Sequence, residues 1–339
     1  MAMISLLIHL LKKIIQLINY SIAALLWLFG MGLMVWYPLR WWPGDRFTPI
    51  QLLNYFTPWL LVALLPALIF AALSKRRWLM LMLIMPTFII MYNYAPLFLP
   101  RATSPALAHS GRIKVMSYNI WGYNRNTDDI ADIIHREQPD ILFLQEIYGS
   151  KAIVLKQKLQ DLYPGQDRYY STMDDESGQG IISRYPLTPL GISYTQGRAQ
   201  KAIIHTPDGD IHVWNVHLKQ PRDWVTQHRQ VINLVQDVAH VDQPLIVGGD
   251  FNTTEQSEVY KMIDQYLDNT HWEAGWGFGF SFPAEKPIIK GVKVPVTTPM
   301  LRIDHIFHNN LLFTHSAKTL SDSGGSDHYP VVSELSVIQ

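Results

Sequence analysis

Cysteine is absent from all 339 residues. Disulfides, thiolate metal sites and a cysteine nucleophile are therefore excluded, and the absence fits an oxidising compartment without requiring one. Acidic residues are nearly missing from the first hundred positions, where Asp45 stands alone against seven Lys and Arg. No surplus of positive charge is available for a polyanion. The whole chain balances 28 basic against 28 acidic residues, and residues 101–339 carry 21 basic and 27 acidic ones, a formal charge of −6. A general DNA binder needs basic surface, so this acidic part is not an obvious one. No internal repeat is present. The length suits one large α/β domain plus something smaller.

The first hundred residues are rich in apolar side chains. Three runs, about 18–37, 53–73 and 78–99, contain no charged residue. About 20 helical residues at ~1.5 Å each cross a hydrocarbon core of ~30 Å. Buried helices of a soluble domain would show a polar face, and these runs show almost none. They read as three transmembrane helices in a membrane anchor covering residues 1–100. Pro58, Pro66, Pro86 and Pro96 do not oppose this, since proline is tolerated in membrane helices. Trp36, Tyr37, Trp41, Trp42 and Trp78 sit at the run ends, where interfacial aromatics belong. The triplet Ala106-Leu107-Ala108 looks like a signal-peptidase site but lies far beyond the usual ~15–30 residues. Ile4–Leu11, followed by Lys12 and Lys13, reads as a short interfacial amphipathic helix. Lys12, Lys13, Lys75, Arg76 and Arg77 fall on one face of the membrane; Arg40, Arg46 and Arg101 fall on the other, with Asp45. The positive-inside bias then puts the N-terminus in the cytoplasm and the C-terminal domain outside it. Residues 101–112, small, polar and proline-bearing, read as a linker.

From Ile113 the pattern becomes alternating short strands and helices. Strands are predicted at 113–120, 140–146, 180–184, 199–206, 210–218, 244–249, 302–308 and 329–337. Helices are predicted from Thr127, capped there with Asp128 and Asp129 in its first turn, and over 150–163, 222–241 and 254–268. This order implies a two-sheet α/β sandwich over residues 113–339. Polar residues gather where the apolar runs end. They are Ser117-Tyr118-Asn119, Leu144-Gln145-Glu146, Asn215-Val216-His217, Gly249-Asp250-Phe251-Asn252, Arg302-Ile303-Asp304 and Ser326-Asp327-His328. One such residue is ordinarily a cap or turn; six in one domain are hard to explain that way. Glu146, Asp327 and Asn119 offer hard oxygen ligands suited to Mg²⁺ or Mn²⁺ rather than zinc. His328 and His217 offer imidazoles for proton transfer or for a phosphate oxygen, and Asp304 could fix the tautomer of His328. Asp250 and Asn252, two apart, are expected to point the same way from an extended segment. No Ser, Thr or Cys nucleophile stands among them.

These segments, above all Gly249-Asp250-Phe251-Asn252 with Ser326-Asp327-His328-Tyr329-Pro330, and in support Leu144-Gln145-Glu146 and Ser183-Arg184-Tyr185-Pro186, resemble the endonuclease/exonuclease/phosphatase superfamily. That superfamily includes deoxyribonucleases, apurinic endonucleases, inositol polyphosphate 5-phosphatases and neutral sphingomyelinases. The resemblance covers about 113–337, and the anchor looks like that of a bacterial membrane-attached branch. It implies a metal-dependent phosphoesterase of a bacterial inner or cell membrane. Glu146 would be the principal metal ligand, with Asn119 and Asp327 nearby. His328, oriented by Asp304, would activate water, with Asp250 sharing the role of base. Asn252 and His217 would hold the phosphate. Where many relatives have Gly-Asn-Ala, this chain has Gly178-Gln179-Gly180, so one phosphate contact is expected to be lost or changed.

His305 and His308 read as structural, and Asp174, Asp175 and Glu176 as a solvated loop. Trp272, Trp276, Phe278, Phe280 and Phe282 read as a loop packed on the core, with a lip touching lipid or a base as the alternative. The leading function is hydrolysis of a phosphoester in a membrane lipid or another small phosphorylated molecule, since anchoring raises the effective concentration of head groups. A membrane-tethered nuclease is the second possibility. A non-catalytic binding protein on the same fold is the third, and the full set of polar residues argues against it.

Overall fold

A computed structural model describes residues 2–99, 111–160, 170–174, 176–193, 198–284, 288–289, 292–293 and 298–338. The predicted linker lies almost wholly outside them, as do Asp175 and the end of the helix predicted to reach Tyr163. Backbone contacts divide the chain into two compact units, Met1–Pro96 and Leu97–Gln339.

In the first unit α1 (Ala2–Leu39) is one helix of 38 residues, about 57 Å long at ~1.5 Å per residue. The predicted interfacial segment and the first predicted span have no break between them, and Lys12 and Lys13 lie inside the helix. Two helices, Met3–Leu39 and Arg77–Phe98, are long and apolar enough to cross a membrane. The predicted second span is a bent pair: α2 (Thr48–Tyr55) meets Thr57–Leu73, which contains α3 (Leu60–Leu73), at 72°. Three crossings result if that pair counts as one. Proline explains the break. Pro58 has no N–H to carry a helical ladder through from α2, and the Thr57 hydroxyl donates to the stranded carbonyls of Leu53 and Asn54, both at 2.9 Å. By contrast, Pro66 and Pro86 sit inside α3 and α4 (Arg77–Tyr94) without ending them. At one end of the unit Arg76 donates to Asn19 (2.8 Å); at the other Trp36 donates to Asn54 (3.0 Å), which donates to Asp45 (2.7 Å). Between these levels α1 and α4 pack closely at Gly30, where a Cβ would meet the flexible tip of Met82 at 2.4 Å. Small residues serve this purpose where membrane helices pack.

The second unit is a four-layer stack. One six-stranded sheet is ordered β13-β14-β1-β2-β4-β3, and the other β5-β6-β7-β8-β12-β9. The strands are β1 (Ile113–Asn119), β2 (Ile141–Gln145), β3 (Tyr170–Asp174), β4 (Gln179–Ser183), β5 (Leu187–Ser193), β6 (Ala199–Thr206), β7 (Gly209–His217), β8 (Leu245–Asp250) and β9 (Asp268–Asn269). A small hairpin, β10 (Ile288–Ile289) and β11 (Val292–Lys293), precedes β12 (Asp304–His308), β13 (Leu312–Thr319) and β14 (Val331–Val337). Inner faces meet in a core around Val115, Phe143, Ile181, Val213, Ile246 and Ile306. The outer face of the first sheet packs under α5 (Thr127–Glu137) and α6 (Ser150–Gln160); that of the second packs under α7 (Trp224–Val238) and α8 (Glu258–Ile263). A short helix, α9 (Thr270–Ala274), follows β9.

The two-sheet sandwich is thus the observed fold, with corrections in detail. Asn126, not Thr127, caps α5, accepting from the Asp129 amide at 3.3 Å. Strands β5 and β13 lie at sheet edges and lack the apolar runs by which strands were predicted. The helix predicted over 254–268 shrinks to α8, because Ser257 caps it and Thr254–Ser257 form a buried turn.

Each sheet has a parallel pair at its heart, β1–β2 and β7–β8. Parallel neighbours end together, so the register aligns Asn119 with Gln145 and His217 with Asp250. Antiparallel β12 begins where β8 ends, setting Asp304 opposite Asp250. One end of the sandwich therefore receives the polar tips of strands from both sheets.

Candidate active site

The two sheets are tied beneath that end by buried amides. Gln145 Nε2 donates to Asn215 Oδ1 (2.7 Å) and Ser117 Oγ (3.2 Å). Asn215 Nδ2 donates to the carbonyls of Leu144 (2.8 Å) and Gly180 (3.0 Å), and Gln179 Nε2 to the Asn215 carbonyl (2.7 Å). Gln145 and Asn215 sit within the predicted polar segments, yet their structural part was not read from sequence: a lone amide at a strand end gives no sign of its partner in another sheet. Gln179, where the family-like pattern is broken, belongs to the same bridge.

Above the amides lie the acids. Asn119 Nδ2 donates to Asp250 Oδ2 (3.0 Å) and Glu146 Oε1 (3.3 Å), and the Gly122 amide to Glu146 Oε2 (2.7 Å). Burial alone would raise the Glu146 pKa. The Gly122 amide, His217, Asn119 and His328 more than offset it and hold the carboxyl below its ordinary value. His217 Nε2 is 3.7 Å from Asp250 Oδ2 and 4.0 Å from Glu146 Oε1; burial pulls it down to about 4.

His328 follows Asp327 in the loop before β14. Its Nδ1 contacts Asp304 Oδ2 at 2.8 Å, and its Nε2 faces Asp250 Oδ2 and Asp327 Oδ1, each at 3.9 Å. Burial opposes the imidazolium, but Asp304, Asp250 and Asp327 outweigh it and push His328 up to about 10. Asp304 is itself held by the Ser281 hydroxyl at 2.7 Å, a partner with no sequence signal, and Phe282 packs on the His328 ring at 4.8 Å between centroids. Burial lifts Asp250 to about 7 and also raises Asp327.

Asn252 corrects one expectation. It is not extended from Asp250 but left-handed, with φ +50. Its amide still reaches Asp250 Oδ2 (3.2 Å) while also donating to the Leu218 carbonyl (3.0 Å), and its backbone N–H caps Asp250 Oδ1 (2.9 Å). Glu146 (φ +59) and Trp121 (φ +58) are left-handed too. Three strained non-glycine residues around one site mark a place where geometry is imposed by the surroundings. Gly249, φ +151, is required there: a Cβ would lie 1.9 Å from the Val216 carbonyl oxygen. His305 and His308 lie elsewhere, buried against the Thr253 carbonyl (2.9 Å) and Glu273 (2.7 Å).

Four carboxylates, Glu146, Asp250, Asp304 and Asp327, thus converge with only histidines as ion-pair partners among the described residues. Oxygens of Asp250 and Asp304 and a ring nitrogen of His328 lie within 4.8 Å of one another. Asp304 Oδ1, Asp327 Oδ1 and His217 Nδ1 are buried without a hydrogen-bond partner. Unpaired buried carboxylate oxygens are costly, and a divalent cation satisfies them; hard oxygen donors suit Mg²⁺ or Mn²⁺. This donor set fits a metal, but the three acid and imidazole groups close enough to share one ion among the described residues are Asp250, Asp304 and His328. Of the predicted ligands, Asn119 turns Nδ2 toward Glu146 and its Oδ1 toward the Trp121 amide.

Comparisons with known proteins agree with this architecture. No curated protein matches the chain by sequence. Solved structures match the second unit's fold at low identity. A functionally unknown conserved protein from Enterococcus faecalis V583 is 17% identical, with TM-score 0.53, covering 66% of this chain and 100% of its own. D. rerio TDP2, solved with a single-strand DNA product, is 17% identical, with TM-score 0.53, covering 67% of this chain and 100% of its own. A mannosyl-6-phosphatase from Bacteroides thetaiotaomicron is 18% identical, with TM-score 0.51, covering 66% and 99%. The sequence profile of the Endonuclease/Exonuclease/phosphatase family matches residues 116–328, which takes in every site residue from Asn119 to His328. The chain belongs to the endonuclease/exonuclease/phosphatase family, whose members are hydrolytic and often metal-dependent.

Proposed function

We propose that this protein is a membrane-anchored, metal-dependent phosphoric ester hydrolase acting on a membrane lipid or another small phosphorylated molecule. The observation that carries this reading is the buried Asp304–His328 contact at 2.8 Å facing Asp250 at 3.9 Å, with Glu146 and Asn119 beside it. A triad-like pair with no Ser, Cys or Thr nucleophile suits attack by water. Glu146, Asp327 and Asn119 would hold Mg²⁺ or Mn²⁺, which when bound supplies charge stabilisation at the phosphoryl group. Asp250, lifted to about 7, would accept the proton of the attacking water as oxygen bonds to phosphorus. His328, kept protonated by Asp304, faces the phosphoryl oxygens and returns a proton to the alcohol as its P–O bond breaks. His217, neutral through burial, and Asn252 flank Asp250 as phosphate contacts.

Two helices apolar enough to cross a membrane support anchoring in a bacterial inner or cell membrane. The bias of Lys12, Lys13, Lys75, Arg76 and Arg77 toward one face supports a domain outside the cytoplasm. The full-length chain, purified in detergent, is assayed with Mg²⁺ on nitrophenyl phosphate mono- and diesters, phospholipids in mixed micelles and single-stranded DNA. Turnover of an ester, its loss with EDTA, its return with Mg²⁺ or Mn²⁺ and its absence in His328→Ala are expected. Cleavage of DNA alone would replace this reading with a tethered nuclease, and full activity in His328→Ala would overturn the mechanism.

A further inference from the structure

A groove opens beside the acids that hydrolysis does not use. Its volume is about 450 Å³, and Gly122, Asn124, Arg125, Thr127, Ser150 and Lys151 line it. It starts one peptide from the reaction site, because the same Gly122 whose amide holds Glu146 forms its wall. Two cations face it. Lys151 Nζ donates to the carbonyls of Trp121 (2.9 Å) and Gly122 (3.0 Å), so its charge is fixed at the groove rather than swinging in solvent. Arg125 is exposed. Neither has a carboxylate ion-pair partner among the described residues.

The backbone adds to this field. Helix α6, eleven residues long, begins at the groove at Ser150 with no acid in its first turn, and a helix N-terminus favours anions; that of α5 is closed by the Asn126 cap. Of the acids in the first turn of α5, Asp128 pairs with Lys158 and Asp129 with the Asn126 cap. A cationic groove abutting a cluster of carboxylates on a unit of net charge −6 calls for an anion held apart from the reacting phosphate.

We propose that this groove binds a second phosphate of the substrate through Arg125 and Lys151, so that the enzyme prefers a small bisphosphorylated molecule or head group over a monophosphate. The inference rests on the phosphoesterase reading. The volume matches a small-molecule site, and two cations without a basic stripe do not track a polymer backbone.

Fructose 1,6-bisphosphate and fructose 6-phosphate are compared as inhibitors of nitrophenyl ester hydrolysis by the full-length protein. Their direct binding is measured in parallel by calorimetry, which reads the groove even if no ester is turned over. The bisphosphate is expected to bind at least about tenfold tighter, a difference of about 1.4 kcal/mol. Arg125→Ala should bring the ratio near one and Arg125→Lys should restore part of it, with kcat on the nitrophenyl ester unchanged in both. Equal binding of the two sugars, or a preference that survives Arg125→Ala, would overturn the proposal. So would a short single-stranded oligonucleotide that outcompetes the bisphosphate in an Arg125-dependent way. Failure of hydrolysis with an intact, Arg125-dependent binding ratio would fault the catalytic reading and leave the groove assigned.

Discussion

Asp304 acts through one contact, the 2.8 Å approach of its Oδ2 to His328 Nδ1. Replacing it with asparagine keeps the shape but removes the charge that holds the imidazole protonated and oriented. Asp304→Asn is expected to lower kcat by roughly 10²–10⁴-fold, with KM little changed and the near-UV dichroism intact; wild-type kcat would show that the pair is structural. A second histidine–carboxylate pair lies away from the acids. Burial would lower His308, but Glu273 at 2.7 Å, the Asn309 carbonyl and Asp268 raise it above its ordinary value. A folded pKa above the unfolded one stabilises the fold below the unfolded pKa, about 6.5, and that gain fades as pH rises through the folded value. The Tm advantage of wild type over Glu273→Gln should therefore be greatest near pH 6 and shrink on the alkaline side; an advantage that grew with pH would refute the pairing. Of these residues, Glu146, Asp250, Asp304 and His328 could be singled out in the sequence because six polar segments beside apolar runs in one domain exceed what caps and turns require. Ser281, which donates to Asp304, was not legible, since its partner lies 23 positions away and nothing local requires it.

Among the elements, legibility tracked burial. Core strands such as β2 and β8 are continuous apolar runs and are visible as such, whereas β5, mostly exposed at its sheet's edge, has neither a run nor a clean alternation. The pairing of the two sheets was not legible at all. It depends on which strand tips meet, and Gln145 and Asn215 decide part of that by bonding across the core at 2.7 Å. Removing the Asn215 amide leaves one buried proton donor of Gln145 without its acceptor and takes the second donor from the Leu144 and Gly180 carbonyls, which keep the ladder between β2 and β4. Each unsatisfied buried group costs about 1–3 kcal/mol. Asn215→Ala is thus expected to lose about 1–3 kcal/mol of stability, read as a lower urea midpoint at unchanged slope. A loss within about 0.5 kcal/mol, the size of an ordinary surface substitution, would mean that the bridge is dispensable. Because the amides underlie both Glu146 and His217, activity should fall before the fold is lost.

At the scale of the molecule, composition announced the division between an apolar first unit and an acidic second one, but not the path of the apolar chain. The bend at Phe56 turns on one proline among several, and hydropathy cannot tell a broken span from a straight one. Contacts within the first unit favour three crossings over two. Asn19 meets Arg76 at one level, and Trp36 meets Asn54 at another. About seventeen α1 residues separate those levels, or ~26 Å of helix, close to a hydrocarbon core. The chain runs from the first level to the second in α1 and back in α3. It then returns in α4, whose Met82 packs on Gly30 and whose Met85, Pro86 and Ile90 line a cavity of about 240 Å³ with Leu33, Trp36 and Tyr37. Helix α2 stays at the second level, where Asn54 bonds Trp36. Under the proposed orientation, Lys75, Arg76 and Arg77 belong to the cytoplasmic face with Lys12 and Lys13, and the chain leaves α4 on the opposite face. An alkaline phosphatase fused to the C-terminus, active only outside the cytoplasm, should therefore be active, and a fluorescent protein that matures only in the cytoplasm should stay dark there. Replacing Lys75, Arg76 and Arg77 with asparagine together should lower the phosphatase signal, since these cations carry most of the bias. The opposite pair of signals would put the C-terminus in the cytoplasm and overturn this arrangement, either by reversing the orientation or by making the bent pair a re-entrant loop between two crossings.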